Sequence, residues 1–135
     1  MNIVTFEQAK KLNDLGFTQR VEHTYCLHQK SGNHRLMSPF GRMDYNQNNN
    51  RDNSEKVAVY YSAPTISEAL QWIRDNKGIY CGIGCGYDVD NEIYYHGHFF
   101  TDNPYFVCED IYENTYPKAE SALLDAVLTY LIEKI

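Results

Sequence analysis

No stretch of this sequence approaches the roughly 18 consecutive apolar residues that a membrane-spanning helix needs, so no transmembrane segment and no membrane partner are expected. Basic runs are also missing. Residues 64–135 hold twelve Asp/Glu against four Lys/Arg, while residues 1–63 hold eight Lys/Arg against six Asp/Glu. An acidic half with no basic face opposes phosphate-backbone binding, so no direct nucleic-acid partner is expected. Only four cysteines occur in 135 residues, and without a secretory signal they read as free thiols rather than disulfides. The first residues, "MNIVTFEQAKKL", lack the basic flank, apolar stretch and small-residue cleavage site of a signal peptide. The expected compartment is the cytoplasm, with the cysteines as free thiols.

What is present supports one folded domain spanning residues 1–135. Apolar residues make up 43 % and charged residues 22 %, a balance that can fill a hydrophobic core. Twelve tyrosines exceed what packing alone requires. Tyrosine has an apolar ring and a polar tip, which suits half-buried strands and interfaces.

Three helices are legible from their ends. Thr5 can cap the first, with Gln8 completing a capping box, Val4 placed to pack on Ala9, and Gly16 closing it before Phe17. The second lies in "APTISEALQWIRDNKG", with Thr65 and Glu68 at capping-box spacing and Gly78 at its end. Ile66, Ala69, Leu70 and Ile73 form its apolar stripe, bordered by Trp72. The third runs from about Pro117 to the C-terminus. Its apolar arc is broad enough to be wedged between a sheet and either another helix or a second subunit. Strands are expected on both sides of the turn Ser31-Gly32-Asn33, in "KVAVYYS", in "YFVCEDIY" (105–112), and in a hairpin over 80–100. Residues 44–54, "DYNQNNNRDNS", have no apolar period and read as a mobile surface loop. The fold class that follows is α+β, a small antiparallel sheet packed in two layers against two or three helices.

The hairpin "YCGIGCGYDVDNEIYYHGHFF" carries the only cluster of chemistry-bearing residues. With 88–91 as a four-residue loop, Cys81 faces His98 and Ile83 faces His96. Gly82, Gly84, Gly86 and Gly97 then share the other face with Tyr80, Tyr95 and Phe99. Glycines so grouped imply rings or a helix lying close over the backbone, because an uncovered glycine weakens a strand. Cys81 and His98 could form a thiol–imidazole pair, for which Asp88 or Asp102 could orient the imidazole. Cys81, His96 and His98 are the alternative metal ligands. Cys85 lies over about 13 Å from Cys81 along a regular strand, so one ion cannot take both. The "GIGCG" spacing matches no phosphate-binding loop, "DVDNE" no calcium loop, and no cofactor is implied.

The segments "TFEQAKKLNDLGF" (5–17), "SAPTISEALQWIRDNKGI" (62–79) and "ENTYPKAESALLDAVLTYLIEKI" (113–135) together resemble a group of small uncharacterised proteins from phages and mobile elements of gut bacteria. The resemblance implies a compact α+β accessory protein in a bacterial cytoplasm and carries no catalytic residues.

The functional expectation is a non-catalytic protein-binding or structural accessory protein, acting through another protein or through self-association. Tyr60, Tyr61, Trp72, Tyr94, Tyr95 and Tyr112 are the candidate anchors. The alternatives are a metal-binding or cysteine-dependent enzyme using the hairpin, and an acidic inhibitor of a host nucleic-acid-binding protein.

Overall fold

A computed structural model describes residues 2–19, 21–37, 58–101 and 111–134. The expected loop 44–54, Asp102, Cys108 and most of the expected strand 105–112 lie outside the described residues. The fold is α+β and two-layered, with helices packed against a small antiparallel sheet within each of two units. Where one sheet was expected there are two, each built from a local hairpin plus one further strand. Contacts gather residues 3–65 into one compact unit and residues 66–135, with Asn2, into another.

The first unit contains α1 (Phe6–Asp14), β1 (Thr24–His28), β2 (His34–Met37) and β3 (Ala58–Ser62), with strand order β2-β1-β3. The helix begins where Thr5 predicts. The Gln8 amide donates to Thr5 Oγ1 at 3.1 Å, and the Thr5 amide donates to Gln8 Oε1 at 2.8 Å. Val4 and Ala9 are both fully buried beside this cap. At the other end Gly16 takes a φ of +94°, which a residue with a Cβ resists. The Phe17 amide then reaches back to the Leu12 carbonyl, and the Gly16 amide to that of Asn13, so two otherwise orphaned acceptors are satisfied. Phe6 at the helix start packs edge-on against the rings of Tyr25 and Tyr61, which are paired across β1 and β3. The Tyr25 hydroxyl donates to the Val4 carbonyl at 2.7 Å, and burial pushes its pKa up.

The second unit contains α2 (Ile66–Lys77), β4 (Ile79–Tyr87), β5 (Ile93–Thr101), β6 (Ile111–Glu113) and α3 (Tyr116–Glu133). Its strand order is β4-β5-β6. Thr115 caps α3 by accepting from the Lys118 amide, with Pro117 in the first turn, where its missing N–H costs nothing. The broad apolar arc of α3 finds both of its partners inside this unit, the sheet and α2. Leu123, Leu124, Val127 and Leu128 are fully buried there with Ile73, Ile79 and Phe99. Trp72 is 7 % exposed, so the ring that borders the α2 stripe belongs to the packing.

The hairpin register differs by one residue from the sequence expectation. Cys81 is opposite Phe99, Gly82 opposite His98, Ile83 opposite Gly97 and Gly84 opposite His96. The physical cause lies in the turn. Asp88 is still paired with Glu92, its amide donating to the Glu92 carbonyl at 2.9 Å. Only Val89, Asp90 and Asn91 form the loop, and Asn91 adopts a φ of +62°. Asp88 Oδ1 accepts from the Asp90 and Glu92 amides at 2.8 and 3.0 Å, which fixes this three-residue turn.

Replacing Thr5 with alanine removes the acceptor for the Gln8 amide and leaves the Thr5 backbone amide's bond to Gln8 Oε1 in place. The substitution is expected to lower unfolding stability by about 1 kcal/mol, measured by urea denaturation. An unchanged midpoint would show that the cap contributes nothing.

Candidate functional site

The one-residue shift sorts the hairpin into two chemically distinct faces. Alternate residues of a strand point to opposite sides. Ile79, Cys81, Ile83 and Cys85 of β4 share a side with Tyr95, Gly97 and Phe99 of β5, and this is the side toward the helices. Phe99 is almost fully buried and its ring lies 5.7 Å from that of Tyr130 on α3. A Cβ built on Gly97 would sit 3.4 Å from Leu123 Cβ, an ordinary van der Waals contact with α3. Tyr95 meets the ring of Tyr116 edge-on at 5.9 Å.

The opposite side carries Tyr80, Gly82, Gly84 and Gly86 of β4, Tyr94, His96, His98 and Phe100 of β5, and Tyr112 of β6. Rings cover the glycines. A Cβ on Gly82 would fall 2.8 Å from the His98 imidazole, and one on Gly84 would fall 2.6 Å from His96 Nε2. On Gly86 it would lie 3.1 Å from the Tyr94 hydroxyl. The expected covering of glycines by rings is therefore present, but the rings are His98, His96 and Tyr94 rather than Tyr95 and Phe99. Gly97 stands apart from the other three, on the helix side.

The ring contacts on this side fall into two groups, Tyr80 with Phe100 and Tyr94 with His96, His98 and Tyr112. Tyr80 and Phe100 stack at 5.4 Å, the His96 and His98 imidazoles lie 6.3 Å apart, and Tyr94 and His96 are 6.0 Å apart. Tyr112 extends the second group sideways, 5.8 Å from Tyr94 and 6.3 Å from His96. Tyr112 is 60 % exposed, Phe100 45 % and Tyr80 36 %. No Asp, Glu, Lys or Arg stands among the nine residues of this face. Its polar groups are two imidazoles and three phenol hydroxyls.

The thiol–imidazole pairing expected from the sequence is not formed across the strands. Cys81 points to the helix side and His98 to the open side, and Cys81 faces Phe99 instead. Burial pushes the Cys81 thiol up to about 12, the reverse of what a thiolate nucleophile needs. The same separation takes Cys81 away from His96 and His98 as a ligand set. Among the described residues, no three His, Cys, Asp or Glu gather closely enough to hold an ion. Cys26, Cys81 and Cys85 are free thiols.

Of the six candidate anchors, Tyr94 and Tyr112 come together on the open face. Tyr95 is on the helix side, Trp72 is buried, and Tyr60 and Tyr61 are half-buried on β3 of the other unit. Tyr80, Phe100, His96 and His98 belong with Tyr94 and Tyr112, a grouping hidden by the register. The signal for it was the Asp88–Asn91 turn chemistry, which selects a loop one residue shorter.

A cavity of about 260 Å³ lies on the helix side of the same unit. Leu70 and Arg74 of α2, Cys81 and Ile83 of β4, and Tyr116 and Leu123 of α3 line it. No helix among the described residues is long and apolar enough to cross a membrane. Comparison with family models, with curated proteins and with solved structures gives no match.

The two β4 cysteines are expected to differ in reactivity. Cys85, which is exposed, should be alkylated by iodoacetamide at pH 7.5 at least about tenfold faster than Cys81, as followed by peptide mass spectrometry. Equal rates would contradict the burial of Cys81. The Cys81 contribution to stability is present at neutral pH. It falls as pH rises from 9.0, the ordinary thiol value, through about 12, because the folded state resists forming the thiolate.

Proposed function

We propose that this protein is a non-catalytic binding protein that holds another protein against the open face of the β4-β5-β6 sheet. The observation that carries this reading is the set of uncharged rings on one sheet face, with Tyr80, Phe100 and Tyr112 exposed. Large rings bury much apolar area with few torsions to fix, so they serve as anchors at protein interfaces. The imidazoles and phenol hydroxyls supply hydrogen bonds without the cost of burying a full charge. Nucleic acid is the less suitable partner, because residues 64–135 carry a net excess of eight acidic groups and the described residues of the face include no Lys or Arg to meet phosphates. The resemblance of the three helical segments to small accessory proteins of phages and mobile elements fits a binding role in a bacterial cytoplasm.

A photo-reactive phenylalanine analogue at position 112 tests the reading in the source cells, with the same analogue at exposed position 125 on α3 as control. Position 112 is expected to cross-link one defined protein that position 125 does not, and Phe100→Ala is expected to reduce that adduct several-fold. Identical adducts at both positions, or none at 112, would remove the face as a binding surface.

A further inference from the structure

We propose that a second copy of this chain pairs with the free edge of β4, antiparallel, about a two-fold axis through Ile83. The inference is separate from the ring-covered face and concerns the edge of the sheet. In the order β4-β5-β6, β4 has β5 on one side and, among the described residues, no strand on the other. A nine-residue strand therefore presents a row of backbone N–H and C=O groups. Edges of this length are normally protected by a lysine, a proline, an inward charge or a bulge. The strand "IYCGIGCGY" has no charge and no proline, and its pairing with β5 runs unbroken from Ile79 to Tyr87.

The choice of a second copy, rather than any extended peptide, comes from the symmetry of the strand. "CGIGC" reads the same in both directions. An antiparallel mate centred on Ile83 sets Cys81 against the partner's Cys85, Gly82 against the partner's Gly84 and Ile83 against the partner's Ile83. Tyr80 then falls opposite the partner's Gly86. This repeats between chains the ring-beside-glycine pairing that His98 and Gly82 make within the hairpin. Because the axis passes through a residue pair, helix-side residues meet helix-side residues and the open faces stay on one side.

The cavity adds a second, independent observation. Its strand wall is formed by Cys81, Gly82 and Ile83 of β4, so it lies at the edge strand itself. Cys81 and Ile83 are the positions that would meet the partner's Cys85 and the partner's Ile83. Both of those side chains would stand on the cavity side, where Leu70 and Leu123 line the space together with Ser67, Gln71, Arg74 and Glu120. The pairing thus satisfies an open row of backbone groups and places small apolar side chains beside unfilled space.

Sedimentation velocity across about 1 to 200 μM tests the inference, with dimer expected to accumulate toward the upper end. Ile83→Asp or Ile83→Lys sets like charges directly opposite one another at the axis, and each is expected to weaken the dimer at least about tenfold. An equimolar mixture of the two variants is expected to restore it, because Asp then faces Lys. If circular dichroism shows that either variant fails to fold, Cys85→Lys, at an exposed position, sets a lysine against the partner's Cys81 and is expected by itself to weaken the dimer several-fold. A wild-type monomer throughout this range overturns the pairing, as does a dimer that these substitutions leave intact or a mixture no tighter than its components. Phe100→Ala with Tyr112→Ala is expected to leave the dimer unchanged, which separates failure of the edge from failure of the ring-covered face.

Discussion

The two-residue period of the β4-β5 hairpin decides which chemistry the second unit can present. Since the side-chain period of a strand is two, the position of a single residue in the turn assigns every group to one face or the other. With Asn91 in the left-handed conformation and Asp88 holding the turn, the thiols go toward the helices and the imidazoles away from them. The raised pKa of Cys81, the rings over Gly82, Gly84 and Gly86, and the packing of Gly97 beside α3 all follow from that assignment. A four-residue loop would have given a thiol–imidazole pair from the same composition.

The helices were legible because their signals are local. Thr5 with Gln8, Gly16 with Phe17, Gly78, and Pro117 mark ends through interactions within one or two turns, whereas the Thr115 cap was not read from the sequence. The breadth of the α3 apolar arc likewise indicated two packing partners, and the sheet and α2 are those partners. The antiparallel hairpins and the α+β layering were within reach for the same reason. The number of sheets was not, because strands separated by α2 carry no sequence mark that says whether they pair.

The candidate site was only partly legible. Covering of the glycines by rings follows from the weakness of bare strand backbone, and three glycines are covered in this way. The identity of the rings depended on the register, which rested on the length of one loop. Tyr94 and Tyr112 could be named from aromatic character alone, whereas Trp72 and Tyr95 could be assigned to the helix-side packing only once burial was known. His96 and His98 invited a metal or catalytic reading. Their place over glycine backbone gives them a packing role that neither reading requires.

The fit of imidazole over glycine has an evolutionary consequence. His96 and Gly84, like His98 and Gly82, occupy one shared volume, so neither member of a pair can vary on its own terms. A Cβ gained on β4 forces the facing ring to turn away or shrink, and a ring lost from β5 uncovers backbone that then favours a side chain. Divergent copies of this hairpin should therefore change in twos, across the strands, at positions twelve and sixteen residues apart in the chain.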